Sequence, residues 1–520
     1  MTAPSRVTPR APQDIGHPIQ IGSPTQTDAG EAHAVQGGGA GSTERPQERP
    51  ATHLILICVL VVLACYLRAG WSYGKSLGPL PDTASTLYNF ENRVADALVA
   101  HQLSLKIQPP KGLLQLDDPY DPRANARYRF GDQLHDLSLY KGKLYAYFGP
   151  APAVLLYIPF RALRVGDISP TLATLIFCTL GFLFSLALFR LLVRWCFGSI
   201  PIWMQCVAVF SLGLGVPTAW MIYIGRDYEA TIACGYMLLF GGTYLLARGI
   251  LVRASGTFLA LGSATLGLAV AARPTMVVAG FFLLVAAILV LQAGLDSRRR
   301  STLLVAIIAP YVAIGVLIAL YNYARFGSFL EFGQTYQLAG FNPRTYQYGS
   351  FSYLPRGLFY YLLSRGRVMN EYPYLFLRAS TLDVSALLQN RGYENEPVAG
   401  LFTNLPVSVA GFLLVATGLR RTARLFPRLL PMLGALLVPA LGALLLISYQ
   451  YRGSTMRYEL DFAPLVVIGS VLAWVAWNKS SPRPKWATWV GNGVFLAALG
   501  ATIAFSLAIT LTPCQGTGSC

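Results

Sequence analysis

The sequence predicts an all-α integral membrane protein, and three observations support this class. Hydrophobic residues make up 54% of the 520 residues, charged residues only 12%, and the mean hydropathy is +0.47. A soluble domain does not have this composition, because too few polar residues would remain to cover its surface. Apolar stretches long enough to cross a bilayer core of about 30 Å recur along nearly the whole chain after residue 53. They favour a helical bundle, since a barrel would show short segments of alternating hydrophobicity.

The N-terminal segment has a different composition from the remainder of the chain. Residues 1–52 are rich in Pro, Gly, Ser and Thr and contain few large apolar side chains. Such a segment cannot offset the entropy lost on folding, so we predict a disordered cytoplasmic tail. No apolar core follows a short basic start, and a signal peptide is therefore not indicated.

About eleven transmembrane helices are predicted, within a range of ten to thirteen. The predicted spans are 54–70, 170–193, 201–224, 228–247, 256–272, 275–293, 303–322, 405–419, 427–448, 461–477 and 487–511. They divide the chain into a first transmembrane module of residues 53–322, a large loop of residues 323–404 and a C-terminal helical region of residues 405–520.

Basic residues fix the predicted orientation, because short cytoplasmic loops retain Lys and Arg. They cluster in alternate loops, at Arg190 and Arg194, Arg248 and Arg253, Arg298 to Arg300, Arg420 to Arg428, and Lys479 to Lys485. We therefore expect these loops and the N-terminus in the cytoplasm of a cell with a bacterial-type inner (plasma) membrane. The C-terminus and two large loops, residues 71–169 and 323–404, are expected outside it.

Residues 146–163 are apolar but are not predicted to cross the membrane. A crossing would place the basic loops and the Arg-containing N-terminal tail on opposite sides. Gly149, Pro150 and Pro152 also oppose a regular helix start at membrane depth. We expect an interfacial or half-inserted segment; the alternative is an ordinary helix, with another span assigned wrongly.

The first large loop is expected to carry the function, because it concentrates acidic residues. Eight of the chain's 24 acids lie in it before Tyr145, at Asp82, Glu91, Asp96, Asp117, Asp118, Asp121, Asp132 and Asp136. Asp117, Asp118 and Asp121 suit a divalent cation, but turn chemistry explains them as well. We predict no metal site and no cofactor, with a divalent cation left open.

A helix lying on the membrane surface is predicted within this loop. Apolar Leu87, Phe90, Val94 and Leu98 recur at spacings of three and four, and Asn89, Asn92 and Asp96 lie opposite them. Asp82 precedes the helix, where an N-cap and a catalytic acid are both consistent with the sequence.

The stretch "HDLSLYKGKLYAYFGPAPAVLLYIPF" resembles a pattern of an acid, Tyr, Gly-Lys-Tyr and a proline-rich re-entry. Many bacterial members of the GT-C class of multi-spanning glycosyltransferases carry it at the end of their first outer loop. The class includes the aminoarabinose transferase of lipid A and the protein O-mannosyltransferases. A second large loop after the seventh span, and the "RY" of Arg457 and Tyr458, are also similar to this class. The resemblance covers residues 54 to about 477.

The resemblance implies a GT-C-like bundle and a catalytic Asp or Glu in the first outer loop. It also implies a sugar donor on polyprenyl phosphate and, as acceptor, a glycan, a lipid or a protein. The class often has a "DExxY"-like acid near the start of the surface helix, where this chain has "LYNFEN". Asp82, Glu91 and Asp136 therefore compete for the role of the base.

Displacement of a sugar from phosphate, with inversion, needs a base near the acceptor and cations near the leaving group. Arg binds phosphate in bidentate fashion, so we assign donor-phosphate binding to Arg457, Arg273, Arg226 and, more weakly, Lys141. Tyr140, Tyr145, Glu229, Glu331 and Tyr458 are assigned to substrate binding. For Arg457, interfacial anchoring and an ion pair with Asp461 are alternatives that are equally consistent with the sequence. For Lys141, the alternative is contact with lipid headgroups.

A transporter or flippase of lipid-linked glycans is the alternative function. Such proteins place ionisable residues around a midplane site and often show duplicated halves. The predicted spans contain almost no acids, which favours the enzyme.

The net charge of +17 is largely in the basic loops and the tail, so it supports the membrane orientation and not nucleic-acid binding. Six cysteines lie in or beside spans as packing residues, whereas Cys514 and Cys520 could be disulfide-bonded.

Overall fold

Long apolar helices dominate the computed structural model. It describes residues 49–71, 77, 79–80, 90–163, 166–252, 254–365, 367–368, 375–376, 394–396, 398–480 and 483–510. Asp82 and Leu87, nearly all of the predicted tail, and both Cys514 and Cys520 lie outside these residues.

The first half of the chain contains long helices with many short elements between them. In chain order they are α1 (Arg49–Gly70), β1 (Pro79–Leu80), α2 (Phe90–Val99), α3 (Lys111–Leu114), α4 (Ala126–Phe130), β2 (Leu137–Tyr140), β3 (Lys143–Ala146), a π-helix (Ala153–Tyr157), α5 (Ile158–Ala162), β4 (Asp167–Ile168), α6 (Pro170–Phe197), α7 (Ile202–Leu214), α8 (Thr218–Ile224) and α9 (Asp227–Leu251).

The second half is built mainly of long helices. They and the intervening strands are α10 (Gly256–Ala272), a 3-10 helix (Pro274–Ala279), α11 (Gly280–Gln292), α12 (Ser297–Phe326), 3-10 helices (Gln334–Tyr336 and Phe351–Tyr353), α13 (Leu354–Leu363), β5 (Arg367–Val368), β6 (Leu375–Phe376), β7 (Glu394–Asn395), α14 (Leu401–Asn404), α15 (Val407–Ala416), α16 (Leu419–Leu425), α17 (Leu429–Gln450), β8 (Gly453–Ser454), a 3-10 helix (Met456–Asp461), α18 (Ala463–Lys479) and α19 (Lys485–Ala508).

Each predicted span falls on one of these helices, or on a consecutive pair, which confirms the all-α membrane bundle. Within the described residues, eight helical segments are long and apolar enough to cross a membrane. Three shorter apolar helices, α10, α15 and α18, coincide with the other predicted spans. The third span is broken between α7 and α8, where the Tyr66 hydroxyl donates to the carbonyl of Gly213 at 2.6 Å. This bond satisfies a backbone group that the broken helix leaves open.

The two large loops meet at one end of the bundle. Arg325, near the C-terminus of α12, donates from Nη1 to the carbonyl oxygen of Ala146 at 2.8 Å. The backbone N–H of Asp136 donates to the carbonyl of Leu338 at 3.1 Å. We call this the loop end. It holds the first residues of α9 and α18 and the last residues of α10 and α12.

The basic loops lie at the opposite end, which we call the basic end. Lys479 at the end of α18 donates from Nζ to the carbonyls of Phe197 and Ser199, at 2.8 and 2.6 Å. Arg428 donates to the carbonyl of Trp195 at 3.1 Å. The predicted clustering of basic loops at one end of the bundle is therefore found in the structure.

The segment of residues 146–163 does not cross the bundle. Its π-helix and α5 together cover residues 153–162, roughly 15 Å at 1.5 Å per residue, against a bilayer core of about 30 Å. Its first residues stay at the loop end, where Gly149 packs against the carbonyl of Ala271 at the end of α10. β4, which follows it, pairs with β1 at the same end.

The first loop is more ordered than its sequence indicates. The loop contains the short helices α3 and α4, and the segment "LSLYKGKLYA" forms a hairpin of β2 and β3. Asn92, expected on the exposed face of the surface helix, is instead buried, and its amide donates to the carbonyl of Ile168 at 2.9 Å. The helix α2 is therefore held inside the protein by polar contacts as well as by its apolar stripe.

Sidedness is tested by single-cysteine labelling in a background without the native cysteines. Exposed positions 143 and 344 lie in the two large loops, and exposed positions 299 and 421 lie at the basic end. A membrane-impermeant thiol reagent added to intact cells is expected to label 143 and 344 and to spare 299 and 421, because Arg-rich loops stay in the cytoplasm. The reverse pattern would invert the orientation, and labelling of only one of 143 and 344 would contradict the shared loop end.

Gly149→Ala is expected to destabilise the protein. A Cβ atom at position 149 would lie 1.8 Å from the carbonyl oxygen of Ala271, and overpacking of this kind typically costs about 1–3 kcal/mol. The measurement is the thermal unfolding midpoint in detergent. Gly315→Ala is the control: that glycine lies on exposed α12 with no neighbour within 4 Å of a built Cβ. Its midpoint should stay unchanged or rise. A midpoint for Gly149→Ala as high as that of the control would refute the close contact.

Candidate functional site

Asp136 lies just before the hairpin, in a backbone conformation that is uncommon for a residue other than glycine. Its φ is +62°, in the left-handed region, which Asp tolerates better than most residues. The hairpin turn that follows uses Lys141 and Gly142, also with positive φ, as the twist of a two-residue hairpin requires. Together with the bond from its N–H to Leu338, this geometry fixes where the Asp136 carboxylate can point.

The Asp136 carboxylate is accessible and has polar neighbours. The hydroxyl of Tyr228, in the first turn of α9, donates to Oδ2 in a short hydrogen bond. His135 Nε2 lies 3.8 Å from the same oxygen, and the Asp136 side chain is 20% exposed. Arg129 is a further charged neighbour. The structure thus presents an oriented carboxylate at the loop end.

Arg457 lies in the 3-10 helix before α18 and forms a bidentate ion pair. Its two Nη atoms donate to the two carboxylate oxygens of Glu396, each at 2.7 Å. Glu229 Oε1 lies 3.7 Å from Nη1, and the guanidinium stacks 5.1 Å above the Tyr228 ring. Burial lowers the pKa of Arg457, but Glu396, Tyr458 and Glu229 more than offset this and keep the side chain charged.

Arg273, at the end of α10, is the second cation of the group. Its Nη1 donates to Asp461 Oδ1 at 2.9 Å, and its guanidinium lies 4.8 Å from the centre of the Tyr458 ring. Arg457 lies 5.5 Å from the same ring. The sequence alternative of an Arg457–Asp461 pair is therefore wrong, because Asp461 pairs with Arg273 and Arg457 with Glu396.

The buried Tyr147 hydroxyl is influenced electrostatically by the Asp136 carboxylate and by the two arginines. Burial and the neighbouring Asp136 and Tyr458 raise the pKa of the Tyr147 hydroxyl well above its ordinary value, whereas Arg457 and Arg273 act in the opposite direction. All four groups must lie close to this phenol to act on it. We call Asp136, Tyr147, Arg273, Arg457 and Tyr458 the loop-end site.

Four other residues predicted for the site lie either beside it or in a separate aromatic cluster. The Glu229 side chain is buried beside Arg457 and accepts from the backbone N–H of Arg226 at 3.2 Å, so both lie at the start of α9 next to the site. The rings of Tyr140 and Tyr145 pack against Phe326 in a separate aromatic cluster.

Lys141 and Glu331 have local roles in the structure. Lys141 is exposed at the hairpin turn with its ammonium group over Tyr140. Glu331 accepts from the backbone N–H of Gly333 at 2.6 Å and from the hydroxyl of Thr335 at 2.6 Å. Neither has a hydrogen bond, ion pair or ring contact to Asp136, Arg273 or Arg457 within the described part of the chain.

Glu91 in α2 and Asp227 at the start of α9 form a second group of acids, and both are buried. Glu91 is fully buried and accepts a bond from the Thr231 hydroxyl at 3.0 Å. Asp227, also fully buried, faces the backbone N–H groups of Phe90 and Glu91 at the start of α2. Burial raises the pKa of Glu91 to about 8, against the lowering effects of Thr231 and of the Ala153 N–H. Glu91 therefore fastens α2 to α9 and has no exposed surface toward a substrate.

Sequence reasoning missed Tyr147, Tyr228 and Glu396. Tyr228 lies between Arg226 and Glu229 in the sequence, and the helical turn that aims it at Asp136 is visible only in three dimensions. Glu396 has no sequence signal, since it lies 61 residues from Arg457. Among the described residues, which exclude Asp82, no three His, Cys, Asp or Glu side chains are arranged to hold a metal ion.

The fold and the site together define a polytopic helical membrane protein with a polar, partly exposed site at one end of its bundle. No family model matches the chain, and no curated protein matches it. Solved structures do. The apo oligosaccharyltransferase of Archaeoglobus fulgidus shares 14% identity over 91% of this chain and 57% of that chain, with a TM-score of 0.48.

Two further solved structures are similar over most of this chain. ArnT from Cupriavidus metallidurans bound to undecaprenyl phosphate shares 14% identity over 89% of this chain and 76% of that one, with a TM-score of 0.41. AglB from A. fulgidus, in complex with an inhibitory peptide and a dolichol-phosphate, shares 13% identity over 89% and 57%, with a TM-score of 0.42. This chain thus spans little more than half of the oligosaccharyltransferases.

All three structures are of GT-C glycosyltransferases, the class that the sequence resembles. Because every TM-score is below 0.5, the likeness does not by itself assign a substrate.

Glu91→Gln is expected to remove a pH dependence of stability. The folded-state pKa of Glu91 is about 8 and the ordinary value is 4.5, so the folded protein retains a proton there that the unfolded chain loses. The contribution of Glu91 to the free energy of unfolding is therefore fully present below about pH 4.5 and is lost as the pH rises to about 8. The loss is at most about 1.4 kcal/mol per pH unit. Unfolding midpoints measured between pH 5.5 and 8.5 should fall less steeply in the variant than in the wild type.

Thr231→Val is the matched control for this measurement. It deletes the hydrogen bond to Glu91 but keeps the titrating carboxyl, so the midpoint is expected to fall at all pH values while the slope persists. An unchanged slope in Glu91→Gln would show that Glu91 does not hold the extra proton.

Proposed function

We propose that the protein is a membrane glycosyltransferase that transfers a sugar from a polyprenyl-phosphate donor to an extracytoplasmic acceptor. One set of contacts at the loop end of a membrane bundle carries the proposal. Tyr228 holds the oriented, accessible Asp136 carboxylate and lies under the Arg457 guanidinium. The Tyr458 ring lies next to both Arg457 and Arg273. The carboxylate and the two arginines are the set of charges that displacement of a phosphate-linked sugar needs. The donor class is the one that the sequence resemblance implies.

The two arginines are the proposed contacts of the donor phosphate. A carboxylate and a phosphate offer similar pairs of oxygens to a guanidinium, and Glu396 now occupies the Arg457 fork as a phosphate would. The Glu396 side chain is 37% exposed, so it can move aside when the donor enters. Arg273 approaches the same space across the Tyr458 ring. In this proposal the leaving phosphate is neutralised by guanidinium groups, and no metal ion is required.

Asp136 is the proposed base. Tyr228 holds Oδ2 by donating a hydrogen bond, which leaves Oδ1 to accept the proton of the acceptor hydroxyl or amine. As that proton leaves, the acceptor atom bonds to the anomeric carbon and the bond from this carbon to the phosphate oxygen breaks, with inversion. Glu91 is not assigned this role, since it is fully buried.

Asp136→Asn is expected to abolish transfer, because an amide cannot accept the proton. Tyr228→Phe should leave roughly 1–10% of activity, since a hydrogen bond to a charged group contributes about 1.5–3 kcal/mol. The assay compares cell-envelope glycans, by mass spectrometry, in a deletion strain complemented with each variant at equal membrane abundance. Asp132→Asn, an exposed acid in the same loop, is the control and should restore the glycan fully.

Asp82→Asn is measured alongside, because Asp82 competes for the same role on sequence grounds. An active Asp136→Asn protein with an inactive Asp82→Asn protein would move the base to Asp82.

For the phosphate contacts, Arg273→Gln and Arg457→Gln should each weaken binding of undecaprenyl phosphate to the purified protein. Unchanged binding in both would remove the arginines from the donor site.

A further inference from the structure

A groove at the basic end of the bundle has no part in the proposed reaction. It opens where α6 ends and α7 begins and has a volume of about 340 Å³. Arg190, Arg194, Ser199 and Gln205 contribute its polar lining, and Val193 and Ile200 are among its apolar residues. The groove therefore combines two cations with an apolar wall at the level where the spans leave the membrane.

Within the part of the chain that the structure describes, the two arginines of this groove have no hydrogen-bond or ion-pair partner. Arg190 and Arg194 are one helical turn apart, so their side chains share one face of α6. Both are exposed, and within the described residues neither guanidinium makes an ion pair or a hydrogen bond.

Lys479 and Arg428 remove the negative character that the end of α6 would otherwise give to the groove. The last carbonyls of a helix lack intrahelical partners and carry partial negative charge. Here the carbonyls of Phe197 and Ser199 accept bonds from Lys479, and that of Trp195 accepts one from Arg428. Two further cations thus lie beside the groove, in addition to Arg190 and Arg194 in its lining.

Acidic side chains do not balance this charge. In the described loops of the basic end, namely 190–200, 248–252, 254–255, 293–300, 417–430, 478–480 and 483–486, the one acid is Asp296. Its carboxylate is already engaged by the backbone N–H of Arg299 at 3.0 Å, as the N-cap of α12. An anion for Arg190 and Arg194 must therefore come from outside the described chain.

We propose that this groove binds the phosphate-bearing headgroup of an anionic phospholipid. Arg190 and Arg194 hold the phosphate oxygens, and Val193 and Ile200 contact the glycerol and the first acyl carbons. Basic pockets between membrane helices on the cytoplasmic side suit such headgroups. The groove, at about 340 Å³, is large enough to take more than a phosphate group alone.

Native mass spectrometry of the purified full-length protein tests the proposal, after incubation with phosphatidylglycerol or with phosphatidylcholine. Wild type should retain phosphatidylglycerol preferentially. The R190Q/R194Q variant should bind it on the order of thirty-fold more weakly, from about 1 kcal/mol per surface cation. The R298Q/R299Q variant, with the same change of charge on exposed arginines at the same end, should bind it as wild type does.

Three results would overturn the proposal. They are equal retention by the two double variants, equal retention of both lipids by wild type, and displacement of phosphatidylglycerol by inorganic phosphate, which would indicate a soluble anion. If R190Q/R194Q does not insert, R190K/R194K and R194Q replace it: the first should keep most of the preference and the second should lose part of it. D136N, which disables the proposed transfer, should bind the lipid normally, so the two proposals fail separately.

Discussion

The ion pair between Arg457 and Glu396 is the contact on which the geometry of the loop end depends. It joins the second large loop to the segment before α18, and through Glu229 and Tyr228 it also reaches the start of α9. Tyr228 in turn holds Asp136, which belongs to the first large loop. One guanidinium thus links segments that are far apart in the sequence, and the shape of the site depends on its staying charged and paired.

This arrangement follows from the cost of burying charge. Arg457, Arg273, Glu229 and Asp461 are all nearly buried, and an unpaired charge in such a place costs several kcal/mol. In the structure each arginine of the loop-end site is therefore paired with a carboxylate, Arg273 with Asp461 and Arg457 with Glu396. In the proposed function the donor phosphate replaces one of these carboxylates as the partner of an arginine. Glu396 is the carboxylate proposed to move, because it is the most exposed of them.

The membrane determines how much of this fold is readable from the sequence. A bilayer fixes the length of an apolar span, so the spans from 54–70 to 487–511 fall on observed helices, and the basic loops alternate as expected. The site is less readable, because its contacts carry no periodicity: Arg273, Arg457 and Asp136 are identifiable as charges near helix ends, but Glu396 and Tyr147 are not. Asn92 is buried, whereas its position opposite the stripe suggests exposure, because the stripe says nothing of the strand packed on the other face of α2.

The hydrogen bond from the N–H of Asp136 to the carbonyl of Leu338 has a consequence for the biogenesis of the protein. The first large loop is translated well before α12 and the segment containing Leu338, and Arg457 follows Asp136 by about 320 residues. At roughly 5–20 residues per second this is about 15–60 s of synthesis. Tyr228 and Leu338, which orient the Asp136 carboxylate, are translated within that interval, and Arg457 is the group of the site that is made last. A nascent chain arrested before residue 457 would therefore lack Arg457, and its Glu396 and Glu229 carboxylates would have no guanidinium to pair with at the loop end.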